Sequence, residues 1–303
     1  MSDGTFLACD WGTTNVRAWV VGANGEAGPE REFPLGVGRL RPGEAAVRFR
    51  EEIRPGMNAE ALPALLCGMI GSTLGWTPVP YVDCPADLPT LARALATVQD
   101  GRAPVRIVPG LRGPGAFGGG DVMRGEETQI LGWAACEPEE ALRLVCHPGT
   151  HAKWAVVRDG RLERFVTAMT GELYAVLRRH GVLKTEAPAD DEAAFVEGLE
   201  AAGDGGALSS RLFTARARVV ADGRSAAGTS SYLSGLLIGA EVAALPALLD
   251  MPQPQEVTLI GEPALCRRYE VALARRRVET RTRDGDWAVL QGLRALEALA
   301  EGA

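Results

Sequence analysis

The chain has 303 residues, 46% of them hydrophobic and 23% charged, which is the composition of a soluble globular protein long enough for two lobes and too short for three domains. Its net charge of −7 and pI near 5.2 argue against the basic surface that binding a phosphate backbone requires, so nucleic acid is not an expected partner. The N-terminus has no basic region followed by an apolar stretch, and the longest apolar run, Tyr232 to Leu249, is interrupted by Glu241 and Pro246, so a buried helix is expected there and neither a signal peptide nor a membrane span is.

In chain order, Phe6 to Cys9 and Val16 to Val21 are short apolar runs flanking the small polar set Gly12, Thr13, Thr14 and Asn15, the pattern of a β-hairpin with a tight tip. The segments 61–75 and 88–98 mix helical and strand-and-turn character, Val105 to Val108 is a short strand, and Glu126 to Ala135 is a helix opened by two acids that suit its positive end. A second hairpin follows: Leu144, Val145 and Cys146 lead into Pro148, Gly149, Thr150 and His151, and Lys153 to Val157 leads out. GTTNVRAWVVGANG and GTHAKWAVVRDG each carry Gly-Thr, a basic residue (Arg17, Lys153), a Trp, a Val-Val pair and a closing Gly, an internal echo that suggests two related lobes. Helices are predicted near 172–179, 192–200, 209–221 and 230–245, then a strand Glu256 to Ile260 ending at Gly261, a helix from Pro263, and a C-terminal helix Trp287 to Leu299. Strands followed by helices in both halves predict a mixed α/β architecture, with lobes at 1–138 and 139–303 and the last helix, 287–303, packing back toward the first lobe. The six cysteines are scattered with no C-x-x-C pair, as expected of reduced thiols in the cytoplasm.

Both tips suit a phosphate chain. Glycine permits close backbone approach, the amides and hydroxyls of Gly12, Thr13, Thr14 and Asn15 and of Gly149, Thr150 and His151 can bond phosphate oxygens, Arg17 and Lys153 add positive charge, and Asp10 can hold a hydrated magnesium ion. Phosphoryl transfer also needs a base for the acceptor hydroxyl, and the helix opening at Gly125 offers Glu126, with Glu127 and Asp121 as alternatives. Arg112 and Arg124 are candidate contacts for an anionic substrate, and Met69 and Trp76 candidate walls of its pocket.

Asp10-x-Gly-Thr-Thr-x-x-Arg17 resembles the first phosphate motif of sugar kinases in the actin, heat-shock-protein-70 and hexokinase-like superfamily, and the Gly125-Glu126 helix followed by the Gly149-Thr150 tip resembles the catalytic-acid helix and second phosphate motif of glycerol-kinase-like enzymes. There the acid is an aspartate; here Glu126 stands in its place. The blocks CGMIGSTLGW (67–76), DVMRGEETQILG (121–132), PGTHAKW (148–154), TAMTGELY (167–174) and SSYLSGLLIGAE (230–241) are similar to the 2-dehydro-3-deoxygalactonokinase family. That resemblance implies a two-lobed actin-like, ribonuclease H-like fold with a nucleotide cleft, ATP and magnesium, and transfer to the C6 hydroxyl of 2-dehydro-3-deoxy-D-galactonate. By the superfamily pattern, Gly261 after its strand resembles the adenosine-binding glycine. A kinase for another sugar acid or polyol and an ATP-driven sensor that phosphorylates nothing are the alternatives, and a homo-oligomer is compatible with either.

Three other signals carry nothing. Gly113 to Gly118 satisfies G-x-G-x-x-G, but more glycines follow where a helix should open, so a flexible loop is expected. His147 and His151 have helical metal spacing with Pro148 and Gly149 between them, and no G-x-x-x-x-G-K-[ST] loop is present.

Overall fold

The first apolar run forms β1 (Phe6–Trp11), buried along its whole length, as a strand with neighbours on both edges and both faces must be. It pairs antiparallel with β2 (Val16–Val21), which pairs antiparallel with β3 (Arg31–Phe33), and on its other edge it runs parallel to β4 (Ala64–Gly68). A computed structural model describes residues 4–137, 142–181, 190–203 and 207–302. Beyond β4 and the two-residue strand β5 (Val82–Asp83) come β6 (Ala96–Gln99) and β7 (Pro104–Ile107), which complete a six-stranded sheet of order β3-β2-β1-β4-β7-β6. β8 (Leu111–Pro114) and β9 (Gly120–Met123) join β5 in a small separate sheet. The second large sheet contains β10 (Arg143–His147), β11 (Ala152–Arg158), β12 (Arg161–Ala168), β13 (Glu256–Gly261) and β14 (Glu279–Asp284), in the order β12-β11-β10-β13-β14.

The two sheets share one plan: three strands joined in sequence, then parallel neighbours added to the edge of the first strand, β4 and β7 in one and β13 and β14 in the other. This is the α/β ribonuclease H-like, actin-like arrangement, present twice, and it gives the echo between the Gly12 and Gly149 segments a physical basis.

The chain forms two compact units, one of Met1–Leu142, Val157–Arg164 and Gly285–Ala303, the other of Arg143–Val156 and Phe165–Asp284. The first unit holds α1 (Glu44–Arg48), a π turn Phe49–Ile53, α2 (Arg54–Gly56), α3 (Leu88–Arg93) and α4 (Glu126–Ala134). The second holds α5 (Thr170–His180), α6 (Glu192–Ala202), α7 (Leu208–Leu212), α8 (Thr214–Val220), α9 (Thr229–Leu248) and α10 (Pro263–Ala274). The C-terminal helix α11 (Gly285–Glu301) packs on α4 in the first unit.

Each unit has its own apolar core, with Leu7, Trp11, Phe49 and Leu66 in one and Trp154, Val257, Leu259 and Tyr269 in the other. The helical stretch Ala226–Leu248 is long and apolar enough to cross a membrane, but 67% of its apolar window is buried inside the protein, as expected of a core helix. Pro246 sits in its last turn without ending it.

Two expectations are revised. The glycine-rich stretch after Arg112 is not a free loop: it is the turn of the β8–β9 hairpin, with Gly118 and Gly119 at φ 88° and 71°, and so many glycines erase the side-chain alternation by which a strand is recognised. The helix predicted over 209–221 is interrupted near Phe213 into α7 and α8. All six cysteines are free thiols, with Cys9, Cys67, Cys146 and Cys266 buried.

Candidate functional site

In the first unit the β1–β2 tip is a rigid turn. The Gly12 N–H donates to the Asn15 carbonyl at 2.9 Å, and the carbonyls of Thr14, Gly12 and Thr13 accept from the backbones of Gly36, Val37 and Gly38. The Asn15 side chain donates to Glu32 Oε1 at 2.6 Å. Of the four tip residues, Thr13 and Thr14 are exposed, so hydroxyls and amides there are what an incoming phosphate would meet. Asp10, on β1 just before the tip, is nearly buried; it accepts from Arg17 at 2.5 Å and from the Cys67 thiol at 3.7 Å. Arg17 also pairs with Asp286 at the start of α11, so its guanidinium is shared between two carboxylates.

β4 runs parallel to β1 with Asp10 beside Cys67 and Trp11 beside Gly68. Gly68 has φ 85°, and a Cβ there would sit 2.6 Å from the Trp11 carbonyl oxygen and 3.2 Å from Asp10 Oδ1. Gly125, at φ 110°, would put a Cβ 3.2 Å from the Gly68 Cα. These two positions require glycine, and their close approach brings the ends of β1 and β4 and the start of α4 to one point.

The two acids that open α4 have different surroundings. Glu126 is half-buried and accepts from the Arg124 N–H at 3.1 Å. Glu127 is fully buried; it accepts from the Gly125 N–H at 2.7 Å and the Thr128 hydroxyl at 2.9 Å. Burial first, and then the Glu126 charge, push its carboxyl up to about 7. A sealed carboxyl cannot meet a substrate hydroxyl, whereas Glu126 can. Asp121 lies in β9, opposite Gly113, in the small sheet.

The other predicted substrate contacts fall in several surroundings. Arg112 is exposed and paired with Asp83 at 2.5 Å. Arg124 stacks over Tyr81 at 4.3 Å and donates through Nη2 to the Val79 carbonyl at 2.7 Å, while its Nε and Nη1 are buried without a hydrogen-bond partner. Met69 and Trp76 pack on the core of the unit, Trp76 with its ring 5.5 Å from that of Phe49.

In the second unit the β10–β11 tip is built against α5. Thr150 and His151 are exposed, and the Glu172 N–H donates to the Thr150 carbonyl at 2.9 Å. His151 Nε2 lies 2.6 Å from Glu172 Oε2. A Cβ on Gly171 would run into the Gly149 carbonyl and the Thr150 backbone, so the helix start can touch the tip only because that residue is glycine. Lys153 is buried and donates to the His151 carbonyl at 3.2 Å, which places its ammonium group behind the tip.

Next to the tip lies a cavity of about 220 Å³. Gly149, Thr170, Gly171 and Tyr174 line it on one side, and Ser234, Leu237, Ile238, Leu265, Arg268 and Tyr269 supply the rest. Gly261 lies against Pro148 and feeds α10, whose first turn is capped by Glu262 accepting from Ala264 and Leu265 at 2.8 and 2.7 Å. The helix after Gly261 therefore contributes part of the cavity wall. Apart from Gly149, sequence reasoning missed these residues; the signal was the unexplained blocks 167–174 and 230–241, most of whose side chains look like ordinary core.

Among the described residues no group of three or more His, Cys, Asp or Glu is arranged to hold a metal ion. A single hard-oxygen carboxylate such as Asp10 still suits a magnesium ion that keeps its waters and takes its other ligands from phosphates.

The family model for 2-keto-3-deoxy-galactonokinase matches residues 10–296. A probable 2-dehydro-3-deoxygalactonokinase of Rhizobium meliloti (strain 1021) is 36% identical over 307 residues, covering 96% of each chain. The 2-dehydro-3-deoxygalactonokinase of Escherichia coli (strain K12) is 33% identical, covering 96% of this chain and 97% of its own. A solved crystal structure of a candidate 2-dehydro-3-deoxygalactonokinase from Sinorhizobium meliloti superposes with a TM-score of 0.85 at 35% identity over 98% of both chains. Matches of this length, on a chain whose paired sheets each present a glycine-threonine tip, establish that it belongs to the 2-keto-3-deoxy-galactonokinase family of carbohydrate kinases.

Proposed function

We propose that this kinase transfers the γ-phosphoryl group of ATP to the C6 hydroxyl of 2-dehydro-3-deoxy-D-galactonate, in line, with Glu126 as the base. The observation that carries the mechanism is the close approach of Gly68 and Gly125, which sets an accessible carboxylate at the start of α4 close to the strand end bearing Asp10. The substrate follows from the relatives' activity.

In this mechanism Thr13 and Thr14 of the first tip and Thr150 and His151 of the second bond the phosphates, and the nucleoside enters the cavity beside Tyr174 and Arg268. Asp10 would hold magnesium, and the ion, when bound, would offset charge on the phosphate oxygens. Arg17, bonded to Asp10, fixes that carboxylate in direction. Glu126 takes the proton from the C6 hydroxyl as the oxygen attacks, which is a matter of placement more than of basic strength. Arg124, half-buried beside Tyr81, is the better candidate for the substrate carboxylate, because Arg112 is spent on Asp83. The expected partners are small molecules, the expected location the cytoplasm.

The test is ATP consumption coupled to product identification, with 2-dehydro-3-deoxygalactonate and its gluconate epimer as parallel acceptors. Formation of the 6-phosphate with preference for the galactonate is expected. A preference for the gluconate would move the substrate, and no sugar phosphate from either would sink the proposal.

A further inference from the structure

Glu241 is the one acidic residue of α9, a helix otherwise made of apolar and small residues, and it is 5% exposed. Its Oε1 accepts from Trp154 Nε1 at 2.7 Å, its Oε2 accepts from the Tyr269 hydroxyl at 3.0 Å, and the Thr170 side chain bonds to it as well. The three donors come from three elements. Trp154 is on β11, three residues past the exposed His151 of the tip; Thr170 is the first residue of α5, whose next residue abuts that tip; Tyr269 is on α10. Thr170 and Tyr269 also line the 220 Å³ cavity.

We propose that Glu241 is a positioning residue for the nucleotide: its carboxylate locks the second phosphate tip, the start of α5 and α10 into one fixed arrangement around the cavity. This rests on the nucleoside occupying that cavity, as in the mechanism above. The physical case is that a buried carboxylate gains little stability over an apolar side chain of similar size, since desolvation offsets what its bonds return. What it gains is direction. Three donors converge on two oxygens, and each bond sets the orientation of a side chain that a leucine would leave to packing alone. All three donors are neutral, and burial raises the carboxyl's pKa, so the bonds themselves hold the group in place. Removing it leaves the Trp154 N–H and the Tyr269 hydroxyl buried without an acceptor, and they regain partners only if β11 and α10 shift, moving the tip and the cavity wall together.

The test is titration of a non-hydrolysable ATP analogue into wild type, Glu241→Leu and Glu241→Gln, alongside steady-state KM values for ATP and for the sugar acid. Glu241→Leu should weaken nucleotide binding about 10-fold or more, as expected for lost bonds to a charged acceptor, while KM for the sugar acid stays within about twofold. Glu241→Gln, which still offers an acceptor to Trp154 and a donor to the Tyr269 oxygen, should restore binding to within about threefold of wild type. A folded Glu241→Leu protein with unchanged nucleotide affinity, or with both KM values raised equally, overturns the proposal. If that variant does not fold, Trp154→Phe and Tyr269→Phe each remove one donor; a weaker nucleotide in either supports the proposal, and unchanged affinity in both overturns it. The titration needs no turnover, so a wild type that binds nucleotide yet phosphorylates neither acid would sink the substrate assignment and leave this test intact.

Discussion

The two tips stand on sheets of the same strand order, yet the polar groups behind them are arranged in opposite ways. Behind the first tip the acid is Asp10, at the strand end itself, answered by Arg17, and a second acid, Glu126, opens a nearby helix toward solvent. Behind the second tip the corresponding strand end carries His147, the lysine is buried, and the acid is Glu241, deep in an apolar helix and met by neutral donors. One scaffold has thus been given charge at its surface in one unit and an apolar cavity with a hidden carboxylate in the other. The difference fits the division of work proposed above, with proton transfer and metal assigned to the first unit and the nucleoside to the second.

The largest expected effect tests the first half of that comparison. Glu126→Gln should lower kcat by roughly 10²–10⁴-fold, the usual worth of a positioned base, with nucleotide affinity retained; an active variant would move the base to Asp121. Glu127→Gln separates the buried acid from the accessible one. Its carboxyl, raised from 4.5 to about 7, is favourable to the fold below pH 4.5, and that contribution is lost as pH rises through about 7. The glutamine variant cannot ionise, so its stability relative to wild type should grow by about 3 kcal/mol between those limits. Urea unfolding at pH 4.5 and pH 8 reads this directly, and a constant difference would mean that the carboxyl titrates normally.

Arg124→Ala should raise KM for the sugar acid about 10-fold or more, from the loss of a charged hydrogen bond, whereas Arg112→Ala, which removes only an exposed pair, should change stability by less than about 0.5 kcal/mol and leave KM alone. Equal effects of the two would return Arg112 to the substrate site. In the second unit Gly171→Ala should cost about 1–3 kcal/mol by forcing α5 off the tip, and should weaken ATP without touching the sugar acid. A change confined to the sugar acid would break the division between the units.

Much of the site could be read locally. The tips at Gly12 and Gly149, the acid pair at the start of α4 and the strand ending at Gly261 are contiguous patterns in which turn residues and alternation speak for themselves. β14, Glu279–Asp284, was invisible because ETRTRD has no apolar face; it forms by pairing in parallel with β13. The β8–β9 hairpin was hidden by its glycines. Glu241 stands out along the chain only as a residue too polar for a membrane.

By itself, then, the sequence determined the family, the paired phosphate tips and the mixed α/β class, since each is written in residues adjacent along the chain. Only the tertiary structure decided which acid at α4 is accessible, which arginine has unmet donors, and that Trp154, Thr170, Tyr269 and Glu241 meet behind one cavity. Burial and partnership are set by atoms brought together from distant segments, and no local pattern records them.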